Sequence, residues 1–182
     1  MKQSLLLNGA KFDITLQRLC QQLIENHGDF SETVIIGVQP RGPFMANRLR
    51  QEIKKMSGHD VQTGALDITF HRDDFRIKGS SPLQANRTDI DFLVDNKAVV
   101  FVDDVLWTGR TIRSAMDAVQ SFGRAKKIEL MVLVDRRFSR QLPIEPDYIG
   151  IQVDSIDAQK VIVSWKEADD QEDSIVLITE EK

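Results

Sequence analysis

Apolar residues recur along the chain in two rhythms, one of helical period and one of short continuous runs. Ile14, Leu16, Leu19, Cys20, Leu23 and Ile24 repeat at helical spacing, with Asp13 as candidate cap and His27-Gly28 as the close, which predicts a packing helix. Thr33–Val38 (TVIIGV) is a β-branched run of buried-strand length. After the loop QPRG, Met45, Leu49, Ile53 and Met56 share one face of a helix over Pro43–Met56. Val61–Phe70 contains the alternating ALDITF of a further strand. His71–Asp91 is polar, carries Gly79, Ser80, Ser81 and Pro82, and is long for a passive connection, so its HRDDFRIK charges predict a mobile functional loop over about 71–91. Val99–Val102, the inward face of Arg110–Phe122, and Lys127–Val134 then form a strand, helix and strand of a parallel unit. Shorter strands are predicted at Tyr148–Val153, Lys160–Trp165 and Ser174–Ile178, the last two separated by an acidic turn.

This alternation predicts an α/β fold: a doubly wound, mainly parallel sheet flanked by helices, whose ligands sit beyond the carboxyl ends of the strands. At 182 residues, 41% of them apolar, one domain spanning 1–182 is expected. With 28 acidic against 24 basic residues, the net charge of −4 provides no global field for polyanions. The single cysteine, Cys20, cannot form an intrachain disulfide. Leu5-Leu6-Leu7 is too short for a signal-peptide core and no run approaches membrane-spanning length, so a cytoplasmic protein without membrane contact is expected.

The richest chemistry lies in Val99–Ala115 (VVFVDDVLWTGRTIRSA). Four apolar residues deliver Asp103 and Asp104 to the carboxyl edge of the sheet, where charges are costly without a ligand. Two adjacent carboxylates suit a vicinal diol, since each can accept a hydrogen bond from a ribose hydroxyl. Thr108, Gly109 and Thr111 follow at a helix N-terminus, where unpaired N–H groups favour phosphate. Diol and phosphate together describe a ribose 5-phosphate. The plainer alternative, acids that merely cap a helix, would serve either half alone, but the whole ordered string is far more specific.

The string resembles the phosphoribosyl pyrophosphate (PRPP) motif of type I phosphoribosyltransferases. Within that class the chain is most similar to the PyrR family, pyrimidine-operon attenuation proteins that also have uracil phosphoribosyltransferase activity. Further matching segments are GVQPRG at 37–42, DITFHRDDF at 67–75, SAMDAVQSFGR at 114–124, LVDRR at 133–137, LPIEPDYIG at 142–150 and KVIVSW at 160–165. The resemblance implies the type I phosphoribosyltransferase fold with a small hood, and transfer of a phosphoribosyl group from PRPP to a nucleobase, foremost uracil, giving UMP and pyrophosphate. Asp103, Asp104 and Arg72 would be catalytic. Val105, Leu106, Trp107, Thr108, Gly109, Arg110 and Thr111 would bind PRPP together with Arg41 and Gly42, whose loop carries Gln39 and Pro40 where the family commonly has lysine and threonine.

A hood over about 135–155 would frame the base through Asp135, Arg136, Tyr148 and Ile149. Purine-specific relatives typically have a lysine near Asp135, so an acid there favours uracil; the alternative of a structural ion pair between Asp135 and Arg136 stays open. Mg2+ is the implied cofactor, bridging pyrophosphate and ribose oxygens, with no protein ligand assigned. Uridine nucleotides and a homo-oligomeric state also follow from the resemblance. Two alternatives remain, a purine phosphoribosyltransferase and a uridine-nucleotide-responsive RNA-binding regulator. The second has less support, because Glu145 stands where the family often has arginine and the first helix presents Gln17, Gln21 and Gln22 instead of a basic face.

Overall fold

A computed structural model describes residues 2–73, 85–156 and 158–179. Strands β2 (Thr33–Val38), β3 (Gln62–Leu66), β4 (Ala98–Leu106), β5 (Lys127–Arg137) and β6 (Tyr148–Asp154) form one sheet in the order β3-β2-β4-β5-β6. Every neighbouring pair in it is parallel. Helices α1 (Gly9–His27) and α2 (Gly42–Ser57) cover one face and α3 (Arg110–Val119) the other, which is the doubly wound arrangement expected. Alternate strand residues feed the two cores: Ile35, Val100 and Leu133 pack with Leu19 and Leu49, while Ile36, Val99, Phe101 and Val132 pack with Ile112 and Ala115. No described helix is long and apolar enough to cross a membrane.

Three features differ from the sequence-based expectation. Helix α1 starts at Gly9 because the Asn8 side chain caps it, accepting the Lys11 N–H at 3.3 Å, so Asp13 lies inside the helix. The segment Lys2–Leu7 is strand β1, which pairs antiparallel with β8 (Ser174–Thr179); β8 in turn pairs with β7 (Gln159–Ser164), making a second sheet from the start and end of the chain. The expected hood over 135–155 is also corrected. Met131 pairs with Tyr148 and Arg137 with Asp154, a parallel register that makes 148–154 the fifth strand of the main sheet. Of the expected loop at 71–91, residues 74–84, Asp74 among them, lie outside the described residues. A 3-10 turn over Thr69–His71 leads into it, and Asp89 bridges back to Ala65.

Candidate functional site

Strand β4 lies at the centre of the sheet, flanked by β2 and β5, and continues past the end of β2. Val99–Val102 are fully buried, and the strand then carries Asp103 and Asp104 to the carboxyl edge. Successive strand side chains point to opposite faces, so the two acids divide between the two layers. Asp103 lines the cavity on the α3 side, whereas Asp104 faces Arg41 and Trp165. Burial pushes the Asp103 carboxyl well above the ordinary carboxylate range and the Asp104 charge adds to this, partly offset by the Asp104 N–H, which donates to Asp103 Oδ1 at 3.0 Å, and by the Arg72 cation. Burial likewise raises Asp104, against the opposing pull of Arg41.

Beyond Asp104, the whole stretch 105–111 lines the same cavity of about 640 Å³. Gly109 makes the turn at φ +89°, a left-handed conformation that L side chains adopt at a cost, and so aims the start of α3 back at the strand end. Gly109 has no side chain to cap α3 and the first turn holds no acid; apart from the Arg110 N–H, which donates to Thr108 Oγ1 at 3.4 Å, the leading N–H groups and the dipole face the cavity. The Thr108 carbonyl accepts the N–H groups of Gln141 and Leu142 at 3.1 and 3.2 Å, which fixes the loop from behind. Arg72 lines the cavity opposite, and Arg110 ties the neighbouring Asp73 to Gln141.

On the α2 side, a Cβ at Gly42 would lie 2.3 Å from the Val102 carbonyl oxygen, so only glycine lets the loop Gln39–Gly42 press against β4. Arg41, expected from the resemblance to bind PRPP, does not line this cavity. It makes a bidentate pair with Asp169, at 2.7 and 2.8 Å, and donates to the Val163 carbonyl at 3.3 Å. The pairing holds the Asp169 carboxyl down at about 2. Asp169 and Trp165 belong to the turn between β7 and β8; the sequence places Asp169 in an acidic connection and Trp165 at the end of the preceding strand, and nothing local marks their partners.

The residues expected around a base do not all meet. Asp135 is buried and paired with Arg140, not with Arg136. Arg136 is buried too: its Nε donates to Ser155 Oγ at 2.9 Å, its Nη2 to the Gln159 carbonyl at 2.8 Å, and its guanidinium lies 4.9 Å from the Trp107 ring centroid. It does line the cavity. Tyr148 and Ile149 are corrected. Tyr148 begins β6 opposite Met131, at the far end of the strand, and its hydroxyl meets Asn26, His27 and Glu129. The carbonyls of Ile149 and Gly150 accept Arg18. The wall across from the phosphate loop comes instead from Gln159–Ile162 of β7, in the second sheet.

The described residues contain no group of three or more His, Cys, Asp or Glu placed to hold a metal. The paired carboxylates suit an ion carried mainly by the oxygens of a bound pyrophosphate.

The phosphoribosyl transferase domain model matches residues 2–170. A bifunctional protein PyrR of Desulfosudis oleivorans is 44% identical over 98% of this chain and 97% of its own length. One from Elusimicrobium minutum is 40% identical over 97% of each. Among solved structures, a hypoxanthine phosphoribosyltransferase of Staphylococcus aureus superposes with a TM-score of 0.70 at 20% identity, covering 94% of this chain and 90% of that one. A hypoxanthine phosphoribosyltransferase of Trypanosoma cruzi gives 0.72 at 14% identity, over 96% and 90%. At such identities the structures are alike in fold.

Proposed function

The chain belongs to the phosphoribosyl transferase domain family, in its PyrR branch of type I phosphoribosyltransferases, and from that premise we propose that it transfers the phosphoribosyl group of PRPP to uracil. The observation that carries this reading is the pair of desolvated acids, Asp103 and Asp104, beside the uncapped start of α3. Both features cost free energy in the absence of a ligand, and a ribose 5-phosphate relieves both. Its two hydroxyls donate to the carboxylates and its phosphate accepts the N–H groups of 108–111.

The substrate then straddles the end of β4. The 5-phosphate lies on the α3 side and the pyrophosphate on the side of the Gln39–Gly42 loop. Arg41, held by Asp169, favours the charged form of Asp104 against its burial, and Arg72 supplies positive charge at the cavity mouth. N1 of uracil bonds to the anomeric carbon as the bond from that carbon to the pyrophosphate oxygen breaks, and the N1 proton leaves. Catalysis is positioning and charge stabilisation, with no protein nucleophile. Mg2+ bound to the pyrophosphate supplies charge neutralisation of the leaving group. Asp135 stands where purine-specific relatives typically have a lysine, and its carboxylate is committed to Arg140, which supports uracil as the base.

Purified protein with Mg2+ and PRPP is tested with uracil, hypoxanthine, guanine, xanthine and orotate. Pyrophosphate release is expected with uracil. No release with any base overturns the reading.

The name of the relatives, a bifunctional protein, supports a second role as a uridine-nucleotide-responsive RNA-binding regulator, acting as a homo-oligomer in the cytoplasm. Against it, three cations near the site are already engaged by groups of the chain itself. Arg18 serves backbone carbonyls of β6, Arg137 pairs with Asp154, and Arg140 binds Asp135 and the Trp107 carbonyl. Gel-shift titration against pyrimidine-operon leader RNA, with and without UMP, tests this role; binding enhanced by UMP supports it and no binding removes it.

A further inference from the structure

Trp165 is fully buried where the second sheet meets the first. Its ring stands edge-on to Phe12, with centroids 5.1 Å apart and planes at 89°, and lies 6.5 Å from Phe44. The Arg48 guanidinium, itself held by Glu167 and Asp173, sits 5.0 Å from its centroid. This packing fixes the orientation of the indole. Yet its Nε1–H makes no hydrogen bond of normal geometry among the described residues. A buried indole N–H ordinarily finds one, and leaving it unpaired is costly.

The acceptor within its reach is the Asp104 carboxylate, which the indole approaches closely enough to favour the charged form without completing a well-aligned hydrogen bond. That carboxylate is engaged with the backbone N–H groups of Val105 and of Asp104 itself. The backbone of Trp165 is anchored as well: its N–H donates to Asp169 Oδ2 at 2.8 Å, the atom that also accepts Arg41 at 2.7 Å. A single acid therefore holds in place the two groups that address Asp104.

We propose that Trp165 is a positioning residue of the phosphoribosyl site: when the ribose diol engages Asp104, the carboxylate turns to accept the indole N–H, so that one oxygen is held by Trp165 and the other receives the hydroxyl. The inference rests on the reading of this site as a PRPP site. It explains why a donor is kept unpaired in a well-packed aromatic cluster, since its partner is completed by substrate. It also gives the turn between β7 and β8 a part in the chemistry.

The test is the 1H–15N spectrum of the native protein titrated with PRPP and Mg2+. The chain has two tryptophans. The indole signal of Trp165 is the one that exchanges slowly with water, because Trp107 is 45% exposed. We expect that signal to move downfield on binding, together with the amides of 107–111, and to stay in place in Asp104→Asn. If the amides move and the Trp165 indole does not, the proposal is overturned while the PRPP site stands; if neither moves, both fall. Trp165→Phe keeps the ring contacts and removes the N–H. It should lower kcat/KM for PRPP about tenfold, the loss of one hydrogen bond to a charged group, with KM for uracil unchanged. Equal losses for PRPP and uracil would mark a merely structural residue and overturn the proposal.

Discussion

Two clusters of buried polar groups sit at opposite ends of the same parallel sheet, and they are built on opposite terms. At the amino end, Glu129 is held between Lys127, His27 at 2.9 Å and the Tyr148 hydroxyl at 3.1 Å. His27 also meets Thr33 Oγ1 at 3.0 Å, and Asn26 donates to Tyr148 at 3.1 Å. Burial raises the Glu129 carboxyl, but Lys127, His27 and Tyr148 outweigh it and the net shift is downward. At the carboxyl end burial wins, joined at Asp103 by repulsion from Asp104, so both acids are raised, and the Trp165 N–H makes no hydrogen bond of normal geometry among the described residues. Opposite electrostatic outcomes for buried acids separate a cluster that completes the fold from one that awaits a ligand.

The sharpest way to break this contrast is Asp104→Asn. At the carboxyl end it should lower kcat/KM for PRPP by about 10- to 100-fold, as expected for a hydrogen bond to a charged group, while raising Tm by roughly 2–4 °C through removal of a desolvated charge. Steady-state kinetics and thermal unfolding check the two signs together. The mirror experiment is Glu129→Gln, which should lower the unfolding free energy by about 1–2 kcal/mol and leave kcat/KM per folded molecule unchanged, as measured by urea denaturation and turnover.

A smaller effect is expected from Asp169→Asn, since its pair with Arg41 is partly exposed, at 36% and 23% for the two side chains. Loosening Arg41 should raise KM for PRPP roughly two- to fivefold with little change in fold stability. The smallest effect is in pH dependence. The folded-state values of Asp103 and Asp104 lie above those of the unfolded chain, so their stabilising contribution is full below about pH 3.9 and is lost as pH rises through the folded values. Acidification from neutral pH should therefore stabilise the native protein relative to the Asp103→Asn/Asp104→Asn variant, read as converging denaturation midpoints. Asp169, lowered to about 2, acts with the opposite sign: its contribution is present above the unfolded carboxylate value and is lost as pH falls towards 2.

Much of this contrast is legible in the sequence at the carboxyl end and little of it at the amino end. Val99–Ala115 encodes its structure locally, because a buried strand, two acids, a glycine at positive φ and an amphipathic helix follow one another without interruption. The flanking elements α2 and β5 are legible for the same reason. What periodicity cannot supply is pairing between distant segments. Nothing in Lys2–Leu7 announces that it pairs with Ser174–Thr179, and nothing in Asp169 announces Arg41, 128 positions away. Tyr148 misleads in a different way. The family resemblance assigns it to the base site, but parallel register sets it beside Met131 with its hydroxyl on Glu129. Where a parallel strand begins and where it ends are chemically different places, and only the register tells them apart.

The most direct test of the contrast is calorimetric titration of PRPP with Mg2+ into the native protein and the Asp103→Asn/Asp104→Asn variant, with the denaturation midpoint of each measured in parallel. The account predicts one PRPP bound per native chain, binding roughly a hundredfold weaker or more in the variant, and a higher midpoint for the variant. Undiminished binding, or a variant that loses stability along with affinity, would contradict it.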